Sequence, residues 1–272
     1  MEIVVALALT LIVTGAIHGL VVSTHRWSRL QAAQIDLQTN ARSTGIVIQN
    51  ELRELNAVES GSADRTDILS ATSTGLTYRA MRGIGFLCQP STAGRLRFAR
   101  SSFSGFRDPQ PVRDGAYLLV EGNPQGGVED AWLQLSILSV VTNIVCPGSG
   151  EPAIELTVSP GFAPEAPAGT PIRVFEPMEM KLYQSGGHSW LGARSLGSGE
   201  AIQPIAGPLR ANDGLGLEYL NAASAPTTSV AAIRSVVLTI RGTTENPVFT
   251  ADGARLEEAL VGQVTLRNGL RP

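Results

Sequence analysis

Apolar positions are spread unevenly along the chain, and the densest run comes first. From Ile3 to Val22 no residue is charged when His18 is neutral. At 1.5 Å rise, about twenty helical residues measure about 30 Å, the thickness of a bilayer core. Val, Leu, Ala and Ile dominate the run, with Thr10, Thr14, Gly15 and Gly19 inside it. Gly15 and Gly19 form a small-xxx-small pair, the spacing that lets helices approach closely in lipid. A secretory signal peptide fits less well: no basic residue precedes the run, it is longer than a signal core, and it reaches no small-residue cleavage site.

Beyond His25, Arg26 and Arg29 the pattern changes period instead of ending. Apolar or small residues recur at Leu30, Ala33, Leu37, Ala41, Thr44, Ile48, Leu52 and Leu55. Spacings of three and four describe one face of a helix. Asp36, Asn40, Arg42, Gln49, Glu51 and Arg53 occupy the other positions. The periodicity fails between Asn56 and Gly61. It predicts one helix from Glu2 to about Ala57, roughly 84 Å if unbroken.

The remainder alternates with period two between turn-rich stretches, which predicts strands. The expected strands are Leu76–Arg82, Arg95–Ala99, Ala116–Glu121, Ala131–Leu138, Val140–Val145, Ala153–Val158, Ile172–Tyr183, Ser189–Arg194, Leu215–Leu220, Ile233–Arg241 and Gly262–Leu266. Pro177 makes the long Ile172–Tyr183 stretch an edge strand or two pieces. Pro160–Pro171 reads as a loop and Ala254–Leu260 as a short helix. The reading is α+β: a long transmembrane and amphipathic helix packed on a mostly antiparallel β domain. Residues 1–60 form the helical part, with 1–24 as span and 25–60 as amphipathic continuation; residues 61–272 form one β-rich globular domain.

Composition narrows the chemistry. Charged residues are 17% and the net charge is −3, which offers no basic surface for nucleic acid. Lys181 is the only lysine, which excludes most lysine-based catalysis. The histidines are His18, His25 and His188, and no H-E-x-x-H, G-x-S-x-G, P-loop or EF-hand pattern occurs. Ser149 lies in the turn Pro147–Gly150 and has no assignable base. Asp108, Asp114, Glu129 and Asp130 are loop acids without a ligand pattern. Trp132, Trp190 and Tyr219 read as packing aromatics. No enzyme, metal or cofactor is expected. Cys88 and Cys146 fit no compact zinc motif; they are a disulfide in an oxidising compartment or two buried thiols. Glu2 is a head-group residue favoured by the helix dipole, or a paired carboxylate within an apolar layer.

The first residues, Met1-Glu2-Ile3-Val4-Val5-Ala6-Leu7-Ala8-Leu9-Thr10-Leu11-Ile12, resemble the N-terminal segment of type IV pilins and pseudopilins. Members carry a glutamate at the fifth mature position, within an apolar stretch that continues as an amphipathic helix. Glu2 matches that glutamate, and the leader, its glycine and the first mature residues are absent. The expectation is that the natural start lies upstream. Tyr183–Arg194, Leu215–Leu220, Ala232–Arg241 and Val264–Asn268 resemble, less specifically, later parts of minor pilins and J-type pseudopilins.

The resemblance implies an assembly role for Glu2, other pilin-like subunits and membrane lipid as partners, and prepilin peptidase where a leader exists. It implies a single pass of the inner membrane with the β domain extracytoplasmic. The positive-inside rule opposes that side, because His25, Arg26 and Arg29 follow the span; a basic leader would remove the conflict. Two functions follow: an assembly subunit of a pilus or secretion filament, and a membrane-tethered envelope binding module.

Overall fold

The computed structural model describes residues 2–57, 66–92, 94–122, 130–161, 166–245, 248 and 256–267. Among the described residues, besides short 3-10 turns at Arg100–Ser102 and Val230–Ala232, one α-helix, α1 (Glu2–Glu54), precedes thirteen strands. They are β1 (Ile68–Thr72), β2 (Gly75–Phe86), β3 (Arg95–Ala99), β4 (Ser104–Gly105), β5 (Gly115–Val120), β6 (Ala131–Val145), β7 (Pro152–Ser159), β8 (Pro171–Ser185), β9 (His188–Ser195), β10 (Gln203–Leu209), β11 (Leu215–Leu220), β12 (Ser235–Thr243) and β13 (Glu257–Thr265). Their main path runs β11-β12-β10-β9-β8-β5-β6-β7-β3, with β13 on β12 and β1, β2 and β4 off the path. Among the described residues every pairing between these strands is antiparallel, so the fold is α+β.

α1 is unbroken for 53 residues, about 80 Å. It buries Leu37, Ala41, Thr44, Gly45, Ile48 and Leu52, the face the three-and-four spacing marks. That face meets β10, β12 and β13, in a core with Leu209, Leu238, Ile240 and Val264. Gly45 is the tighter of two glycines at this seam: a Cβ there would stand 2.7 Å from Leu260 Cδ2, the movable end of a side chain, while one on Gly242 would make ordinary contact with Leu37 Cδ2 at 3.5 Å. A second core, with Leu96, Phe98, Leu118, Leu135, Ile154 and Ile172, fills the far half of the sheet.

The helix ends in a polar clasp. The Asp67 carboxylate accepts the Asn56 backbone N–H and side-chain amide, each at 2.8 Å, and the Tyr117 hydroxyl at 3.2 Å. The Ala57 amide donates to the Arg267 carbonyl and the Arg267 amide to the Leu55 carbonyl. Tyr78 reaches from β2 to Glu51 at 3.0 Å. Burial pushes the Asp67 carboxyl above its ordinary range, against the pull of these donors.

Three expectations need correction. β8 is neither an edge strand nor two pieces: it pairs with β2 from Pro171 to Lys181, with β5 up to Phe175, and with β9 from Met178. Pro177 falls at the handover. Its carbonyl faces the β9 side, accepting from Leu196, so its nitrogen faces the same gap and the β2 ladder loses nothing. Ala131–Leu138 and Val140–Val145 are one strand, bent by bulges. Of Ala254–Leu260, Glu257–Leu260 belong to β13, where pairing with β12 from Glu257 to Thr265 overrides local helix preference; Ala254 and Arg255 lie outside the described residues. β1, β4 and β10 carry too little alternation to be read; β10 holds both Pro204 and Pro208.

One turn stores strain. Val112, in the loop closed by the Asp114 amide on the Gln110 carbonyl, has φ 65 and is 80% exposed. A β-branched residue is a genuine outlier there. Val112→Asn, whose side chain tolerates that region, is expected to raise stability by about 1 kcal/mol. A thermal melt of the full chain in detergent checks it; an unchanged or lower midpoint contradicts it.

Candidate assembly surface

From Glu2 to Arg29 every residue of α1 is exposed. Twelve large aliphatic side chains between Ile3 and Val22 stand in the open. At roughly 1.5 kcal/mol or more for each side chain left unburied, the total is on the order of 20 kcal/mol. That exceeds the roughly 5–15 kcal/mol by which a typical domain is stable. The segment is long and apolar enough to cross a membrane.

Its hydroxyls from Thr10 to Thr24 are satisfied within the helix. Thr10, Thr14 and Thr24 hydroxyls donate to the carbonyls of Ala6, Thr10 and Leu20, and Ser23 also donates to Leu20, all within 2.9 Å. These bonds remove the cost of bringing hydroxyls into hydrocarbon. Gly15 and Gly19, four residues apart on one helix face, have nothing within 4 Å of an added Cβ. Glu2 is exposed in the first turn. Trp27, 67% exposed beside Arg26 and Arg29, is the residue the reading of the sequence missed. An indole next to a basic cluster at the end of an apolar run is the pattern of an interfacial anchor.

The β domain resolves the other candidates. Cys88 and Cys146 are bonded, with Cα atoms 5.9 Å apart, and Cys146 packs with Ala99 and Ala153. Among the described residues no three His, Cys, Asp or Glu converge as metal ligands. Asp108 pairs with Arg100, Asp114 with Arg107, and Asp130 accepts the Gly122 amide; Glu129 lies outside the described residues. The Ser149 hydroxyl accepts the Glu151 amide within its turn. Trp132 lies under the Arg173 guanidinium at 4.2 Å, Trp190 donates to the Ser185 carbonyl, and Tyr219 to the Thr72 and Gly75 carbonyls. His188 stands edge-on to Trp190.

The strongest electrostatic feature is structural. Glu176, 2% exposed, accepts from Arg82 at 2.7 Å and Arg113 at 2.5 Å, with Arg107 at 3.3 Å. Burial pushes its carboxyl up; hydrogen bonds and the charge of Arg82 outweigh burial and hold it at about 2. A groove of about 530 Å³ runs between α1 and the β9–β10 side, lined by Arg29, Asp36, Asn40, Trp190 and Pro208. No protein-family model, curated protein or solved structure matches the chain.

Proposed function

We propose that the chain is an anchored assembly subunit of the type IV pilin or pseudopilin kind, built to exchange lipid for the same helix of neighbouring subunits. One observation carries this reading: a single rigid helix is bare from Glu2 to Arg29 and seated on the sheet from Leu37 to Leu52. A plain anchor needs no rigid continuation into its domain. A subunit that must leave lipid needs its apolar half held at a fixed angle, so that protein partners can cover it.

In this reading the helix crosses the inner membrane once and the β domain lies outside the cytoplasm, where the Cys88–Cys146 bond is stable. Gly15 and Gly19 supply close approach between helices. Glu2 sets axial register, because an unpaired carboxylate in an apolar layer is costly and one pairing relieves it.

Glu2→Ala is expected to leave membrane fractionation and β-domain melting unchanged. Recovery of other pilin-like subunits by co-purification is expected to fall about tenfold, the effect of roughly 1.4 kcal/mol. Equal recovery from wild type and variant would sink the register role and leave Glu2 as a head-group residue.

A further inference from the structure

Two arginines line one cavity without an acid to hold either of them. The cavity, of about 380 Å³, lies where the end of α1 meets β2, β4 and β8, and its lining includes Glu54, Arg82, Ser104, Arg173 and Arg267. Arg173 stands on β8 opposite Ile84 of β2, half-buried, with its guanidinium over the Trp132 ring at 4.2 Å. Such stacking uses the face of the group and leaves its N–H edge free. Arg267 is clamped by its backbone, which donates to the Leu55 carbonyl and accepts from the Ala57 amide, while its side chain is exposed. Among the described residues neither side chain makes a hydrogen bond or an ion pair.

Where arginines converge elsewhere in the domain they are neutralised. Arg82, Arg107 and Arg113 share Glu176, and Asp114 and Glu200 complete the balance. Arg173 and Arg267 have no such centre. The charge of Asp67 reaches Arg173, but its carboxylate is taken by Asn56 and Tyr117. Glu54 is exposed, so water screens it. Burial, and then the charge of Arg267, push the Arg173 guanidinium below its ordinary range. An anion between the two would offset both effects.

The charges select the ligand class. Guanidinium edges match oxyanions. A carboxylate neutralises one of the two arginines, whereas a phosphate monoester, with a charge near −2, neutralises both. Its oxygens also point in different directions, so donors that are not coplanar, the Ser104 hydroxyl among them, can share it. The volume falls within the roughly 300–1,000 Å³ of small-molecule sites, which leaves room for an organic remainder. The end of α1 stands roughly 48 Å beyond Val22 along the helix axis. Headgroups of a bilayer around the apolar run do not reach that far, which leaves a soluble source.

We propose that this cavity binds the phosphate group of a small soluble phosphomonoester between Arg173 and Arg267. The inference stands on the β domain and the end of α1 and does not require the assembly reading.

The test is calorimetric titration of the full chain in nonionic detergent with glycerol 3-phosphate, and with acetate at matched ionic strength. Saturable phosphate binding is expected with a Kd below about 1 mM at low salt, weakening as salt rises. Arg173→Gln and Arg267→Gln are each expected to weaken it at least fivefold. Glu54→Gln, which removes the carboxylate in the lining, is expected to tighten it at least twofold. Arg95→Gln, an exposed arginine of β3 outside the cavity, is expected to leave it unchanged. Nanodiscs rich in phosphatidic acid are expected to give the detergent value. Melting temperature reports whether each variant folds, and Arg267→Gln carries the test if Arg173→Gln does not fold. The proposal is overturned by absence of saturable binding, by acetate binding as tightly, or by equal affinity in the folded Arg267→Gln. It is also overturned by equal weakening in Arg95→Gln, by weakening in Glu54→Gln, or by loss of binding in the anionic nanodiscs, which would give the site to lipid.

Discussion

Glu176→Ala is expected to lower the stability of the β domain by about 3–5 kcal/mol, the cost of breaking a buried ion pair from one side. The alanine leaves Arg82, Arg107 and Arg113 converging without the carboxylate that two of them donate to. Arg82 and Arg107 are only 14% and 18% exposed, so water replaces the carboxylate poorly. Asp114 still holds Arg107, which makes the variant foldable but weak. Glu176→Gln, with the same shape and no charge, is expected to lose most of the same stability.

The pH dependence has a definite sign. The folded carboxyl is held at about 2, below the ordinary glutamate value of about 4.3. A depressed acid contributes stability that is full above its unfolded value and is lost as pH falls through its folded value. The difference in melting between wild type and Glu176→Gln is therefore expected to be largest above about pH 5 and to shrink toward pH 2. Asp67 works in the opposite sense, because its carboxyl is raised. Its contribution is full below the ordinary aspartate range and fades as pH rises through its folded value, so the comparison of variants is the measurement that isolates Glu176. A loss below about 1 kcal/mol at pH 7 would show that the arginines find other partners.

Removal of the disulfide by the double change Cys88→Ala and Cys146→Ala is expected to cost about 4 kcal/mol in the chain-entropy account. The two cysteines are 58 residues apart, and that loop takes in β3, β4, β5 and all of β6. The loss falls on the far half of the sheet, where the bond joins the segment after β2 to the end of β6 in a small apolar cluster. The half packed on α1 has its own core. Proteolysis of the double variant is accordingly expected to cut within residues 88–159 before it cuts β12 or β13. Equal melting with and without reductant would show that the bond adds nothing.

Several elements were legible because a local rule has only one solution. About twenty uncharged apolar residues followed by a three-and-four stripe specify a helix that is greasy all round and then one-sided. Gly45 apart, the residues buried on α1 are those the stripe marks from Leu37 to Leu52. Arg95–Ala99 and Leu215–Leu220 fall where alternation and flanking turns place them. The type of the β domain followed in the same way, since period two with frequent glycine and proline leaves few alternatives.

Tertiary structure decided what depends on partners distant in sequence. Glu257–Val261 is a strand only because β12 lies beside it, extending the strand that alternation marks at Gly262–Leu266. Pro177 is harmless only because β5 stops and β9 starts at its open side. Asp67 and Glu176 look like ordinary loop and strand acids until folding brings Asn56 and Tyr117 to the one and three arginines to the other. The sequence by itself determined the bare apolar helix and the amphipathic face that follows, because periodicity is a local property of the chain. Only the fold decided which polar groups are buried and where the two cysteines meet, because each depends on contacts between residues far apart in the chain.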